Sequence, residues 1–296
     1  TNPSSPDSHI LLTSGASPYQ STELFPQIPG CTTAQLPAYR VRHSTFISDD
    51  GVVATCGGQD ASGALSDCLI VNPVTKQWQS DTTVMGHLPG KRRYAAEVTV
   101  AGVGTYLLGG WGGSSYLSTS VFLPSGSASW QSGPSLPQAL SGACAFSYQQ
   151  SVFITGGYSS SSSYLSDVRE YSLASSQWLA ASTWPSLQTA RNWHGCGRLG
   201  RMAVIAGGIR GVFLSSTELI NLETKVRTRG GDLKSARWAT IVRAVRGGKT
   251  SLYVIGGDLV EEWREETGDW LEVGRLQESR ESYWMGAVAV PTGLLC

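Results

Sequence analysis

Five times along the chain an apolar, β-rich run stops on a pair of glycines. The pairs are Gly57-Gly58 after VVATC, Gly109-Gly110 after TYLL, Gly156-Gly157 after SVFIT, Gly207-Gly208 after MAVIA and Gly256-Gly257 after LYVI. A degenerate copy stands at Ser14-Gly15 in HILLTSGA. Counted from the first glycine, or from Ser14, successive spacings are 43, 52, 47, 51 and 49 residues. Self-similarity at a period of about 50 residues marks a repeat architecture, in which each unit is one supersecondary motif unable to bury its faces alone.

Other features recur in phase with the glycines. Each pair is followed by a Gly/Ser-rich loop and a short strand-like run: LSDCLIVNP, LSTSVFLP, LSDVREYSL, SSTELINL or LVEEWREE. A tryptophan follows in four repeats, at Trp78, Trp130, Trp178 and Trp270. Then comes Leu-Pro or a relative (HLPG, SLPQ, TWPS), and the next strand begins. Each unit therefore supplies about four short strands with turn signals between them, which suits an up-and-down blade. Glycine at the end of the second strand permits positive φ and close approach of a neighbouring blade. The tryptophans are expected to pack between blades.

This pattern resembles the kelch-repeat family, which includes propellers of the galactose oxidase type. The resemblance covers nearly the whole chain and implies an all-β fold, a six-bladed β-propeller. Two repeats depart from it: the first carries Cys31 where others place Trp, and the fifth has Val226 near that place. The C-terminal segment SRESYWMGAVAVPTGLLC reads as an innermost strand without the rest of its repeat. The N-terminal HILLTSGASPYQSTELFPQ reads as second and third strands without a first. Paired, they complete one blade and remove the sheet edges. The expected organisation is a polar segment at 1–8 and a single propeller over 9–296. Blade 1 combines 280–296 with 9–36, and blades 2 to 6 start near Arg40, Arg92, Ala139, Arg191 and Arg237. The terminal GLLC runs further than this closure requires.

Hydrophobic residues make up 41% and charged residues 15%, and Lys+Arg equals Asp+Glu at 22 each, without long blocks of like charge. That balance argues against disorder, nucleic acid and anionic membrane surfaces as partners. No apolar run approaches the roughly 20 residues needed to span a bilayer. A monomer is expected. Four histidines, at 9, 43, 87 and 194, and no CxxC pair argue against a metal. The copper-radical site of galactose oxidase needs a Tyr–Cys crosslink and two His, and this chain has no clear match for that set. No cofactor is expected, and no G-x-S-x-G supports a serine nucleophile.

Cys56 ends the second strand of blade 2 and Cys68 lies in its third, so a disulfide across the hairpin is expected. It would imply an oxidising compartment and a secreted protein. Cys144 and Cys196 occupy nearly equivalent inner-strand positions in blades 4 and 5, where a bridge and two packed thiols are both open. Cys31 and Cys296 belong to the closure blade, and a bridge between them would lock the ring. The six cysteines allow about 15 pairings. The opening TNPSSPDSH is polar and is not itself a signal peptide.

The resemblance places a binding site at the channel mouth, where loops lead into the inner strands. Those lead-ins carry Arg40, Arg42 and His43; Arg92, Arg93 and Tyr94; Arg191, Trp193 and His194; Arg237 and Trp238; and Arg280, Tyr283 and Trp284. Blade 4 is the exception, with ALSGAC. Arginine forks suit carboxylates, sulfates or phosphates, and aromatics supply stacking area. The expected partner is a small anionic or sugar-like ligand or an acidic peptide. The resemblance also allows the recurring Arg a structural role, bonded to neighbouring-blade backbone. Tyr116 and Tyr164 recur in phase within loops that either reach over the mouth or anchor themselves. The alternative is an enzyme using the same cavity. His194 with Glu281 would perform acid/base chemistry of an epimerase or lyase type, or the cavity would host cofactor-independent oxygen chemistry. Glu97 and Glu278 are the other acidic residues near the inner strands. A third reading is an interaction module using blade edges or loops.

Overall fold

The structure, a computed structural model, describes residues 7–14, 20–81, 83–280, 285–291 and 294–295. Within them the chain forms six radial antiparallel blades, and the one helical element is the single turn Ala181–Thr183. Blades 2 to 5 each have four strands in simple up-and-down order. Blade 2 is Ser44–Ile47, Val53–Cys56, Cys68–Val71 and Trp78–Ser80. Blade 3 is Ala96–Val100, Gly104–Leu108, Ser120–Pro124 and Gln131–Ser132. Blade 4 is Cys144–Tyr148, Ser151–Thr155, Val168–Ser172 and Gln177–Trp178. Blade 5 is Gly195–Leu199, Met202–Ala206, Thr217–Asn221 and Arg227–Gly230.

Blade 6 departs from the four-strand expectation. Its strands are Thr240–Arg246, Lys249–Arg264 and Asp269–Arg280. The second and third strands of the other blades are fused here into one 16-residue strand, with register shifts between Gly257 and Leu259 and between Val260 and Glu261. The reason is local. Only Asp258 separates the glycine pair from the apolar Leu259-Val260, so no loop is available and the strand bends through a bulge instead.

The two ends of the chain share blade 1. Gly286–Pro291 pairs antiparallel with Ser8–Thr13, setting Ile10 opposite Ala289 and Leu12 opposite Ala287. Ser8–Thr13 pairs in turn with Thr22–Phe25. The inner strands of successive blades then contact one another around a complete ring, including Gly286–Pro291 against both Thr240–Arg246 and Ser44–Ile47.

The core lies between blades rather than within them. Phe46, Cys56, Cys68 and Ile70 of blade 2 pack with Leu107, Val121, Leu123 and Trp130 of blade 3. Trp130 meets Phe46 edge-on at 6.0 Å. Trp78 packs with Leu11, Leu24 and Val290 of blade 1, and Trp270 Nε1 of blade 6 donates to Thr217 Oγ1 of blade 5 at 2.9 Å. Trp178 borders the cluster joining blades 3 and 4. Burying one such large side chain stabilises by about 1.5–3 kcal/mol. Leu295, from the GLLC tail that the sequence leaves unplaced, joins Trp78 between blades 1 and 2, and Lys76 Nζ donates to the Leu294 carbonyl at 3.0 Å.

Cys56 and Cys68 stand directly opposite in the hairpin and are bridged, with Cα atoms 4.1 Å apart. Cys144 and Cys196 are bridged as well, joining the inner strands of blades 4 and 5 with Cα atoms 5.8 Å apart. Cys31 is disulfide-bonded, and Cys296 lies outside the described residues.

Candidate functional site

Two belts of hydrogen bonds build the channel mouth. The first involves the arginine that begins the lead-in of every blade except blade 4. Arg92 Nη1 donates to the Gly109 carbonyl and, at 2.9 Å, to Thr119 O. Arg191 donates to Gly207 O (2.9 Å), Ser216 O (3.0 Å) and the Glu218 carboxylate (2.8 Å). Arg40 reaches Gly57 O and Asp67, and Arg280 reaches Ser14 O, Ser21 and Glu23. Arg237 pairs with Glu261 instead of a glycine carbonyl. All five are buried, and each guanidinium named here except that of Arg280 bonds its own blade, not the neighbouring one. Arg280 closes the seam, because the backbone it holds comes from the N-terminal part of blade 1. Burial pulls Arg92 down to about 10; in Arg191 it lowers the pKa against the opposing pull of Glu218. In blades 1, 2, 3 and 5 these arginines staple the corner between second and third strands; in blade 6, where those strands are fused, Arg237 holds the strand itself through Glu261.

The second belt explains the backbone strain at the rim. The Tyr94 amide donates to Arg42 O (3.0 Å), Gly142 to Tyr94 O (3.0 Å), Trp193 to Gly142 O (2.9 Å) and Ala239 to Trp193 O (3.3 Å). The belt therefore runs through corresponding lead-in positions of blades 2 to 6. Four of its members have left-handed backbone: Arg42 (φ 62), Tyr94 (φ 57), Gly142 (φ 63) and Trp193 (φ 51). For an L-residue that conformation costs about 1–2 kcal/mol, and such strain clusters where a site needs it. Blade 4 meets the requirement with glycine, and a Cβ there would fall 2.7 Å from the Trp193 ring and 2.0 Å from Asn192 Oδ1. The bare lead-in of blade 4 is thus what lets the Trp193 side chain lie across it.

Beside Trp193, between blades 3, 4 and 5, lies a cavity of about 350 Å³ lined by Arg93, Tyr94, Trp111, Tyr116, Ser141, Tyr158, Tyr164, Asn192 and Trp193. Six aromatic rings line it. Tyr94 tilts against Trp193 at 5.6 Å, Trp111 meets Tyr116 edge-on at 4.9 Å, and Tyr158 meets Tyr164 edge-on at 5.0 Å. Tyr116 links the two halves through Tyr158 at 6.1 Å. The wall extends outward from Trp193 to Trp238 and on to Phe213, which is 45% exposed. Arg93 stands in the wall with its guanidinium 5.6 Å from the Tyr94 ring and 5.9 Å from the Trp111 ring. Among the described residues no carboxylate pairs with it, and its Nε is buried without a hydrogen-bond partner. Desolvation, with a smaller contribution from nearby Arg42, lowers its pKa. Burial pushes the Tyr94 hydroxyl up to about 12, so it remains neutral.

Of the sequence-predicted residues, the structure brings Arg93, Tyr94 and Trp193 into this cavity together with Tyr116 and Tyr164. Arg42 lies beside it, 5.0 Å from the Tyr94 ring, with Nη1 on Gln59 Oε1 at 2.6 Å. Trp238 flanks it. Arg40, Arg92, Arg191, Arg237 and Arg280 are directed into blades, as above. Tyr283, Trp284 and Glu281 lie outside the described residues. Trp111 and Tyr158 escape the sequence reading, although each directly follows a glycine pair, in GGW and GGY. That in-phase aromatic was the available signal. Ser141 and Asn192 leave no such trace.

The upper channel holds both inner-strand histidines. His43 Nε2 hydrogen-bonds Thr13 Oγ1 at 2.8 Å, and His194 Nε2 hydrogen-bonds Thr155 Oγ1 at 2.9 Å. Burial, reinforced by Arg40 and Arg191 respectively, lowers each imidazole to about 3. Glu97 faces the channel from blade 3, and burial pushes its carboxyl up to about 8. Glu278 pairs with Arg280 at 3.2 Å. No group of three or more His, Cys, Asp or Glu among the described residues is placed to hold a metal ion.

No curated protein sequence matches the chain. The family model described as the KLHDC2/KLHL20/DRC7 Kelch-repeats domain matches residues 27–208, which reach from the closure blade through the glycine pair of blade 5, Gly207-Gly208. Matched over more than half its length, and built as six blades joined at recurring glycine pairs, the chain belongs to the Kelch-repeat family.

Proposed function

We propose that the protein is a binding module that takes a small anionic ligand, or the acidic end of a peptide, in the aromatic cavity between blades 3, 4 and 5. One observation carries this reading: Arg93 is held between Tyr94 and Trp111 without a carboxylate partner among the described residues. An arginine placed for stability finds acceptors within the fold, as Arg191 does with Glu218 and two carbonyls and Arg92 does with Gly109 O and Thr119 O. Arg93 instead offers a planar donor fork to a carboxylate, and the tyrosine and tryptophan faces accept the apolar or sugar-like remainder. A cavity of about 350 Å³ is at the lower end of the range for small-molecule sites.

The test is titration of acidic tetrapeptides and acidic sugars against the intact protein, read by tryptophan fluorescence and calorimetry. Arg93→Ala should weaken the best ligand at least about tenfold, the size of a charge-assisted bond. Unchanged affinity in Arg93→Ala would remove the reading. The acid/base alternative gains less support, because an imidazole at about 3 is a weak base at neutral pH. The two bridged cysteine pairs favour an oxidising compartment, and secretion is proposed on that ground.

A further inference from the structure

The inner strands present another layer of side chains toward the opposite mouth of the channel. Strand pairing defines its height. Ala96, Cys144, Gly195 and Thr240 each stand opposite the residue that precedes their blade's glycine pair: Leu108, Thr155, Ala206 and Ile255. Three residues further along each inner strand come Thr99, Ser147, Arg198 and Arg243. Arg198 and Arg243 therefore share one layer on the neighbouring strands Gly195–Leu199 and Thr240–Arg246, which are in contact.

Like charges at matching positions of adjacent strands are unfavourable. Here, among the described residues, neither guanidinium has a carboxylate partner. Arg198 is positioned by its backbone acceptors, Ser147 O at 2.5 Å and Gly200 O at 3.1 Å, and its guanidinium lies 5.4 Å from the Tyr148 ring. The Arg243 side chain makes no hydrogen bond among the described residues. Desolvation and the neighbouring Arg198 charge lower its pKa. Arg243 is exposed at this mouth, so its donor fork is accessible to an anion arriving from solvent.

Both arginines line a cavity of about 350 Å³ together with Glu97, Thr99 and Ser147. Glu97 lies two residues deeper than Thr99. The charged or titratable groups facing it are His43 from blade 2, His194 from blade 5, and Arg198 and Arg243 nearer the mouth. Blades 4 and 1 present Ala145 and Ala287 at its level. With its pKa pushed up to about 8 by burial, Glu97 is a neutral acid at neutral pH. It offers a proton to an anion rather than repelling it.

We infer that this mouth is a second binding site, separate from the aromatic cavity, for a small anion whose carboxylate or sulfate-like oxygens are held between Arg198 and Arg243. Its volume of about 350 Å³ and its small wall residues Ala145, Gly197 and Ala287 suit a compact ligand.

The intact protein is titrated calorimetrically with inorganic sulfate and, separately, with succinate; the tighter probe tells an oxyanion from a dicarboxylate. Saturable binding of either is expected. Arg243→Ala should weaken it at least about tenfold with an unchanged melting temperature, because Arg243 holds no native bond. Arg93→Ala should leave it unaltered, which separates this site from the aromatic cavity. Sulfate does not titrate in the neutral range, so its affinity should fall as pH rises through about 8, where Glu97 ionises, and Glu97→Gln should abolish that fall. Absence of saturable binding by both probes, or equal binding by Arg243→Ala, overturns the inference.

Discussion

The amide of Gly58 in blade 2 donates to the carbonyl of Arg92, the first lead-in residue of blade 3, at 2.8 Å. The arginine's own guanidinium meanwhile holds the carbonyl of Gly109 in blade 3. The contact recurs as Gly110 to Leu140 (2.8 Å), Gly157 to Arg191 (2.8 Å) and Gly208 to Arg237 (2.9 Å). Each link needs the second glycine in a left-handed conformation, with φ of 87, 104, 103 and 97 in turn. Blades are thus fastened to one another at the mouth by glycine amides, and each arginine fixes the corner from which the next amide points.

Gly58→Ala tests this fastening. An added Cβ would fall 2.5 Å from Val41 O and 2.8 Å from His43 Cβ, and alanine resists the positive φ. Urea denaturation should show a loss of about 2 kcal/mol or more. A change below about 0.5 kcal/mol would mean that the blade contact yields freely.

Stability and binding should separate between two arginines. Arg191 is 0% exposed and paired with Glu218. Arg191→Ala takes the close guanidinium from Glu218, which keeps the Gln188 and Thr189 amides and Arg227 at 3.8 Å, and removes the donor from two carbonyls, so a loss of about 3 kcal/mol, the low end for a broken buried pair, is expected in chemical denaturation. Arg93→Ala removes no ion pair and should cost no more than about 1 kcal/mol while impairing ligand binding. The opposite ordering would reverse the roles assigned to the two side chains.

Acid should unfold the protein through His43 and His194. Their folded pKa is lowered to about 3, against an unfolded value of about 6.5. The unfolded state binds more protons in that window, so their contribution is complete above about pH 6.5 and drains away as pH falls toward 3. Replacing either by Gln should flatten the loss of melting temperature between those limits. Glu97 has the opposite sign: its pKa is raised to about 8, so its contribution is present below about 4.5 and lost as pH rises through 8. The stability of Glu97→Gln relative to the parent should therefore improve steadily across that range. A gap independent of pH would contradict the buried carboxyl.

Thiol titration of denatured, unreduced protein should find Cys56, Cys68, Cys144 and Cys196 unreactive. Replacing Cys144 and Cys196 together with Ser should lower stability by about 2–4 kcal/mol, because their bridge ties two blades across a separation of 52 residues. Reactive thiols at these four positions would also withdraw the support for an oxidising compartment.

Removing the chain from residue 286 onward deletes the inner strand of blade 1 and leaves Ser8–Thr13 with an unpaired edge. Loss of the single cooperative melting transition is expected, with aggregation through the bared edge. A truncated protein melting like the intact chain would show that closure does not support the ring.

Much of the fold was legible because its physics is local and repeated. A glycine pair after an apolar run, a tryptophan in phase and two half-blades at the termini imply radial sheets without any knowledge of side-chain direction. Tyr116 and Tyr164 were visible for the same reason, as in-phase residues. The fusion of strands in blade 6 was hidden, since it depends on one missing loop after Gly257 rather than on a motif. The lead-in arginines carried less information than their number suggested. Arg92 and Arg93 are neighbours in sequence and identical in type, yet one is bonded inside a blade and the other faces a cavity.

The sequence by itself determined the repeat, the number of blades, the closure of the ring and the hairpin placement of Cys56 and Cys68, because each follows from periodicity and chain connectivity. Only the tertiary structure decided which arginines are bonded within blades and which face a cavity, that the aromatic cavity sits over the bare lead-in of blade 4, and that Arg198 and Arg243 share a layer. Lead-in and inner strand are offset by one residue fewer in blade 6 than in blade 5, from Arg237 to Thr240 rather than from Arg191 to Gly195. Alignment on the arginines therefore misplaces that pair. Which residues meet in space depends on strand register and backbone direction, and these are settled by hydrogen bonds between blades far apart along the chain.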